Sequence, residues 1–322
     1  MSSTANGKPE TVLVTGATDG LGRATALLFA AEGYRVFAAG RDAQKRAALE
    51  QLAEERHMQL ETLELDVTSD ESADRAVAEI QRRAGPVDIL VNNAGIGIAG
   101  AMEEVTLADL HKQFETNFFG VVRMTQRVLP AMRDRRRGCI VNMSSIAGLV
   151  SNPMMGPYSG SKHALEAVSD SLRLELASFG IRVVIIEPGF IPTNINRAGA
   201  ELSFRYIGNA AASPYASVYL GFLKSWQKGV ASAKSTPEDC AHVILRAVQN
   251  PRPRARYIVT REAHIVKFLR WILSDRTFDR GILKMMGLDR RAGAAPSQEA
   301  IRAQLDSMLR ARRDNPSGAT QA

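Results

Sequence analysis

Between residues 11 and 187, short apolar, largely β-branched runs alternate with longer stretches whose apolar positions recur at helical spacing. The near-continuous runs 11–15, 34–39, 59–65, 87–91, 139–143 and 181–187 predict strands covered on both faces. The intervening stretches 21–32, 42–56, 71–83, 107–133 and 158–178 predict amphipathic helices. Gly33, Gly85, Gly138 and Gly180 mark the helix-to-strand turns, where a left-handed residue ends the helix. Strand and helix in regular alternation predict βαβ units, hence an α/β fold with a doubly wound parallel sheet, Rossmann-like, with helices on both faces.

After Pro188-Gly189 the rhythm breaks. Residues 190–235 form a mixed stretch carrying Phe204, Tyr206, Tyr215, Tyr219, Phe222 and Trp226, which reads as a substrate lid or pocket wall over the sheet. Thr236-Pro237-Glu238 signals a new helix over 240–248, and 256–260 a last strand. The expected organisation is one catalytic domain over 1–260, a helical extension over 261–289 packed on it, and a basic polar tail over 290–322, disordered at its end.

Composition narrows the function classes. With 322 residues, 45% hydrophobic and 23% charged, the chain can bury a sizeable core. The excess of 41 basic over 34 acidic residues suits nucleic acid, a membrane surface or an anionic cofactor. The basic clusters 133–137 and 310–313 fall on a helix end and the tail, with no recognised binding motif, so they read as solvated charge rather than a nucleic-acid site. Cys139 and Cys240 are too few and too far apart for a disulfide framework or a zinc site. The N-terminus lacks an apolar core segment, and no apolar run reaches 18 residues, so the expected setting is reducing and cytoplasmic. Asn142-Met143-Ser144 matches the glycosylation triplet but ends an apolar run, which argues for coincidence.

Three constellations carry chemistry. Thr15-Gly16-Ala17-Thr18-Asp19-Gly20-Leu21-Gly22 follows the first strand and opens a helix whose N–H groups and dipole favour a pyrophosphate. Gly16 permits the tight turn, Gly20 a close backbone approach, and Gly22 close helix packing. The second strand ends in Gly40-Arg41, where an NAD site would place an acid for the ribose hydroxyl; a guanidinium there suits the 2′-phosphate of NADP, although a solvated Arg also fits and Asp42 could compete for the ribose. Tyr158 and Lys162 stand one helical turn apart. A tyrosine exchanging its proton near neutrality must drop by about three pKa units, or about 4 kcal/mol. An ammonium about 4 Å away at an effective dielectric near 20 supplies about 4 kcal/mol, and an oxidised nicotinamide adds to it. A surface pair would show the same spacing.

Taken together, over roughly residues 11–260, the chain resembles the short-chain dehydrogenases/reductases, hydroxysteroid and retinol dehydrogenase-like members in particular. The motifs stand in that family's order: TGATDGLG, Asp66-Val67, Asn92-Asn93-Ala94-Gly95, Ser145 with Tyr158-x-x-x-Lys162, and Pro188-Gly189. The resemblance implies cofactor contacts from Gly16, Thr18, Asp19, Gly20, Leu21, Gly22 and Arg41, with Asp66 and Val67 at the adenine. It further implies Asn93, Ala94 and Gly95 on the ribose side, Pro188, Gly189 and Ile191 as further cofactor contacts, and Thr193 at the nicotinamide carboxamide. The implied catalytic set is Asn117, Ser145, Tyr158 and Lys162: Tyr158 donates a proton to the substrate oxygen, Ser145 orients it, Lys162 touches the ribose, and Asn117 holds a relay water. No metal is implied. Asp19 departs from the pattern, since many NADP-preferring members carry a basic residue there; on this reading specificity rests on Arg41 alone.

The expected activity is hydride transfer with NADP(H), preferred over NAD(H), on a ketone, aldehyde or secondary alcohol with an apolar frame. A 3-ketoacyl-thioester reductase and a non-catalytic NADP-binding regulator are the alternatives, and a homo-oligomer, dimer or tetramer, is expected. In 265–288, apolar residues at helical spacing are interleaved with Lys267, Arg270, Arg276, Arg280 and Lys284, and Ser274-Asp275-Arg276 predicts a break into two helices. Closure of the pocket is the favoured role; a dimer contact and an interfacial membrane anchor compete with it.

Overall fold

The computed structural model describes residues 8–191, 203, 205–289, 299 and 303. Seven parallel strands form one sheet in the order β3-β2-β1-β4-β5-β6-β7. They are β1 (Thr11–Thr15), β2 (Arg35–Gly40), β3 (Leu60–Glu64), β4 (Ile89–Asn92), β5 (Gly138–Met143), β6 (Ile181–Glu187) and β7 (Arg256–Ile258). The strand order reverses between β1 and β4, so the crevice where such sheets bind ligands opens above the carboxyl ends of those two strands.

Alternation within the strands sorts the core into two layers. Val12, Val14, Val36, Ala38 and Val91 face α1 (Gly20–Ala31), α2 (Ala43–Glu55) and the later helix α8 (Pro237–Gln249), burying Phe29, Leu49 and Ile244. Leu13, Phe37, Leu90, Ile140 and Val183 face α3 (Asp70–Ala84) and α5 (Gly120–Asp134), burying Ile80, Met124 and Met132. Each such side chain contributes about 1.5–3 kcal/mol by leaving water, which is why the apolar runs are nearly unbroken. Cys139 and Cys240 are buried free thiols in the first layer. The basic run at 133–137 is tied down locally: Arg135 and Arg137 pair with Asp88 at 2.6 and 3.0 Å, and Arg136 bonds the Ser178 carbonyl.

Three departures from the sequence reading matter. The helix expected over 107–133 is interrupted: α4 (Leu107–Phe114) and α5 are joined by a π turn, Glu115–Phe119, which widens the helix by one residue at Asn117. The aromatic insertion is the second. Its described part contains α7 (Ala216–Ser232), and Tyr206 and Tyr219 are buried in a third apolar cluster with Ile96, Ile98 and Met154. Their hydroxyls bind the 101–109 segment, Tyr219 donating to Glu104 at 2.7 Å and Tyr206 to Asp109 at 2.5 Å. These tyrosines therefore fasten the insertion to the domain, while the Phe190–Trp226 ring pair, centroids 4.8 Å apart, stands beside Pro188-Gly189.

The extension is the third. It forms α9 (Arg261–Ile272) and α10 (Asp275–Met285), divided as expected before Asp275. Ile282, Met286 and Leu288 pack against the third cluster, so the end of α10 covers the insertion. On α9, by contrast, Ile265, Phe268, Leu269 and Ile272 point outward and only Ala263 is buried. The tail over 290–322 lies outside the described residues but for 299 and 303, as do Thr193 and Phe204.

Candidate active site

The glycine turn is built around left-handed backbone. Gly16 and Gly20 have φ of 63° and 50°, which glycine adopts without cost. Gly22 is required for space: a Cβ would lie 2.3 Å from the Asn93 side chain and 2.4 Å from the Gly16 carbonyl. Asn93 is the staple that makes the approach so close, its amide donating to the carbonyls of Thr15 and Gly16 at 2.9 and 3.0 Å. The Thr15 hydroxyl in turn accepts from the N–H groups of Asn93 and Ala94, both at 3.0 Å. Two strand ends 78 residues apart are thereby locked into one cradle at the N-terminus of α1.

Asp19 caps α1, accepting from Gly20 N at 2.8 Å. Its other oxygen pairs with Lys45 on α2 at 2.5 Å. Sequence reasoning passed over Lys45, although it stands four residues after Arg41, and this pair compensates the acid in the cradle. Asp42, a competitor for a ribose hydroxyl on sequence grounds, caps α2 by accepting from Lys45 N at 3.1 Å. Arg41 is mostly exposed at the end of β2, 3.7 Å from Asp66. Gly40 has no room for a side chain, since a Cβ would meet Thr18 Cγ2 at 2.7 Å.

Burial tends to raise the Asp66 carboxyl, but the Thr68 N–H and hydroxyl at 3.0 and 2.8 Å and the Arg41 charge outweigh it, holding the group below its ordinary value. Val67 and Ile191 turn their side chains into the core layers, so any cofactor contact from them falls to the backbone. Gly95 lies against Asn117, and Leu21 is half-buried on α1.

Asn117, fully buried in the π turn, accepts from Ile96 N at 2.8 Å and donates to Ile96 O at 2.9 Å and to Ser161 at 3.2 Å. Gln113, one turn earlier, accepts from Ile98 N and donates to Ile96 O at 2.8 and 2.7 Å. The two amides hold the segment 96–98 beside the Tyr158 ring, where the Cβ position of Gly97 is 3.6 Å from Tyr158 Cδ2. Gln113 has no motif around it and was not foreseen.

Tyr158 and Lys162 share one face of α6 (Gly156–Glu175), and the Tyr158 hydroxyl faces Ser145, just past the end of β5. Ser145 also caps a short 3₁₀ turn, accepting from Ala147 N at 3.1 Å, and lies 3.5 Å from Pro188 O. Burial pushes the Tyr158 phenol above its usual 10, against a smaller lowering by Ser145. This reverses the direction expected for a tyrosine with an ammonium about 4 Å away. The Lys162 Nζ lies 5.7 Å from the ring centroid and donates instead to Met143 O at 2.6 Å. Burial lowers Lys162 itself to about 8, partly offset by Glu166. His163 is exposed and rests on Ser159 O at 2.9 Å.

Below this face lies a charge cluster that no motif announced. Arg256 of β7 reaches Glu166 at 3.0 Å, Asp170 at 2.7 Å and Glu187 at 3.3 Å, and Lys267 of α9 reaches Glu187 at 3.6 Å. Glu187 is wholly buried and directly precedes Pro188; desolvation, then the nearby Glu166, raises its carboxyl. Gly189 completes the junction, its Cβ position falling 2.1 Å from the Thr260 hydroxyl oxygen. A cavity of about 860 Å³ lies at the opposite, amino ends of the strands, lined in part by Glu10, Arg173 and Arg182, and none of the motif residues reaches it.

A seven-stranded parallel sheet with this cradle and a Ser-Tyr-Lys set, its lysine buried and its serine and tyrosine partly exposed, is the architecture of a dinucleotide-binding oxidoreductase. The sequence profile of the short chain dehydrogenase family matches residues 10–201. The chain is 38% identical to 3-ketodihydrosphingosine reductase of Bacteroides thetaiotaomicron over 223 residues, covering 69% of this chain and 77% of the relative. It is 36% identical to human retinol dehydrogenase 8 over 255 residues, 77% of this chain and 80% of the relative. A short-chain dehydrogenase structure from Streptomyces avermitilis superposes with a TM-score of 0.69 at 31% identity, covering 89% of this chain and all of that one. The chain belongs to the short-chain dehydrogenase/reductase family and is an oxidoreductase of carbonyl and alcohol groups.

Proposed function

We propose that the protein uses NADP(H) to interconvert a ketone or aldehyde and an alcohol on an apolar, lipid-like frame. The observation that carries the cofactor half is Arg41, mostly exposed at a β2 end whose neighbouring acids are engaged, Asp42 as a helix cap and Asp19 by Lys45. The residues fit a phosphorylated dinucleotide. The α1 N-terminus and its left-handed glycines offer N–H groups to a pyrophosphate, Asp66 accepts from the adenine side, and Arg41 suits a 2′-phosphate. Apolar surroundings support the substrate half: Gly97 against the Tyr158 ring, Met102 against Gly156, and the Phe190–Trp226 pair. Relatives named for retinol and for 3-ketodihydrosphingosine are consistent with such a frame.

In this reading a bound NADPH, held by the α1 cradle and Arg41, would supply the hydride for the carbonyl carbon. Tyr158, kept protonated by burial, donates its proton to the carbonyl oxygen while Ser145 hydrogen-bonds the same oxygen. Lys162, one turn further along the same face of α6, is the cation that returns a proton to the tyrosine, and Asn117 holds the Ile96 carbonyl and Ser161 of α6 in place beside them. Because a lysine at about 8 is charged below that value, reductive kcat/KM should fall as pH rises through about 8. A pH profile checks this, and Lys162→Met should remove the break along with most of the activity.

The cofactor assignment is tested by kcat/KM with NADPH against NADH. Losing a charge-assisted contact worth about 1.5–3 kcal/mol, Arg41→Ala should lower the NADPH preference about 10- to 100-fold. Lys45→Met should instead weaken both cofactors, because Asp19 is left uncompensated in the cradle. Substitution of Gly40 is a poorer probe, since any side chain displaces Thr18. Equal use of the two cofactors by the unaltered protein would overturn the assignment.

A further inference from the structure

The helix α9 is mounted with its faces reversed. In an ordinary surface helix the apolar stripe faces the core and the polar residues face water. Here the inward face is Ala263, packed near Gly189, and Lys267, paired with the buried Glu187. Thr260 caps the helix, and Arg270 pairs with Asp275 at 2.7 Å, so this orientation is held at both ends. The outward face carries Ile265, Phe268, Leu269 and Ile272, at i, i+3, i+4 and i+7, with Trp271 beside them at 82% exposure. Large apolar side chains gathered on one exposed face mark an interaction surface.

Charge identifies the occupant. From Lys267 to Lys284, both included, the chain carries five basic and two acidic residues. Arg276, Arg280 and Lys284 form a row at i, i+4 and i+8 along α10, and none of them is ion-paired among the described residues. Leu283 and Met285 are exposed next to that row. No helix among the described residues is long and apolar enough to cross a membrane. A short helix with an apolar face, an exposed tryptophan and neighbouring cations is suited to lie in the plane of a lipid interface, its apolar side in the acyl boundary and its cations at anionic headgroups. A two-fold contact with a second copy through this face would set each basic row against its own equivalent.

We propose that the outward face of α9, together with the basic row of α10, docks the protein on an anionic membrane surface. The docking is independent of the substrate assigned above. It is tested with the full chain by cosedimentation with vesicles of phosphatidylcholine containing phosphatidylglycerol, against phosphatidylcholine alone. Three headgroup-facing cations should favour the anionic vesicles by about 100-fold at low salt, falling as salt is added. Phe268→Glu, Trp271→Glu and Ile272→Glu combined should abolish binding to both vesicles. Arg276→Glu, Arg280→Glu and Lys284→Glu combined should remove the preference for the anionic ones. Melting temperature and NADPH affinity serve as fold controls, since none of these residues touches the site. The proposal is overturned if the unaltered chain does not sediment with anionic vesicles, or if the apolar triple variant sediments equally well. It is also overturned if that variant instead dissociates a dimer that never bound vesicles.

Discussion

Tyr158→Phe is expected to lower reductive kcat by about 10²–10⁴-fold, the usual contribution of a positioned proton donor, with the NADPH dissociation constant unchanged within a few-fold. The separation follows from where the groups lie. The cradle at Gly16–Gly22 and the cations at Arg41 and Lys45 stand on the β1–β2 side, whereas the phenol belongs to α6 and faces Ser145 beyond β5. The substitution removes one oxygen and keeps the ring that rests against Gly97, so the 96–98 segment stays in place. Single-turnover mixing of NADPH with substrate measures the first quantity and fluorescence titration of NADPH the second. Lys162→Ala should damage both, because that amine is buried below the site and holds the Met143 carbonyl. Turnover within tenfold of the unaltered enzyme in the Phe variant would reject the assigned proton donor.

Arg256→Met should cost about 3 kcal/mol of stability, the lower end of the range for breaking a buried ion pair, since the guanidinium is a quarter exposed. For a domain of this size that lowers Tm by roughly 5–10 °C. The loss comes from three carboxylates, Glu166, Asp170 and Glu187, left facing one another around a methionine. Its pH dependence carries a sign. Glu187 is raised in the folded state, so the folded protein holds that proton more tightly than the unfolded chain, and acidification favours folding as pH falls through the raised value. Without Arg256, which lowers it, the Glu187 carboxyl is raised further, so the deficit of the variant should narrow as pH falls through that value, as seen by calorimetry. Arg256→Lys should recover part of the loss. An unchanged Tm in Arg256→Met would show that the cluster is not a structural tie.

The sheet was legible because parallel strands buried on both faces read as apolar runs, and each run 11–15, 139–143 and 181–187 recurs as a strand to within a residue. Tyr158 and Lys162 were legible as one face of a helix for the same geometric reason. What escaped involves pairs distant in sequence. Lys45 meets Asp19 across 26 residues and Arg256 meets Glu166 across 90, and no periodicity links them. Aromatic content marked the insertion but not the direction its rings face, so Tyr206 and Tyr219 read as pocket wall although they are anchors. Amphipathic spacing likewise predicted α9 without revealing which side meets the domain; the buried Glu187, by taking Lys267, decides it. The direction of the Tyr158 shift failed because spacing alone could not tell that Lys162 points at Met143 O.

The π turn at Glu115–Phe119 makes chain length itself a structural variable. One extra residue turns the following helix by about 100° relative to an unbroken one. The two halves are thus held out of phase, so that Gln113 and Asn117 aim at the 96–98 segment while Met124 and Val128 aim at the sheet. Gly120, immediately after the turn, is in contact with Val67, which leaves no slack in which to absorb a change of phase. A helix serving two neighbours in this way accepts many exchanges of side chain on its surface yet tolerates no insertion or deletion between 115 and 119, because a single residue gained or lost would misdirect every position on one side of it.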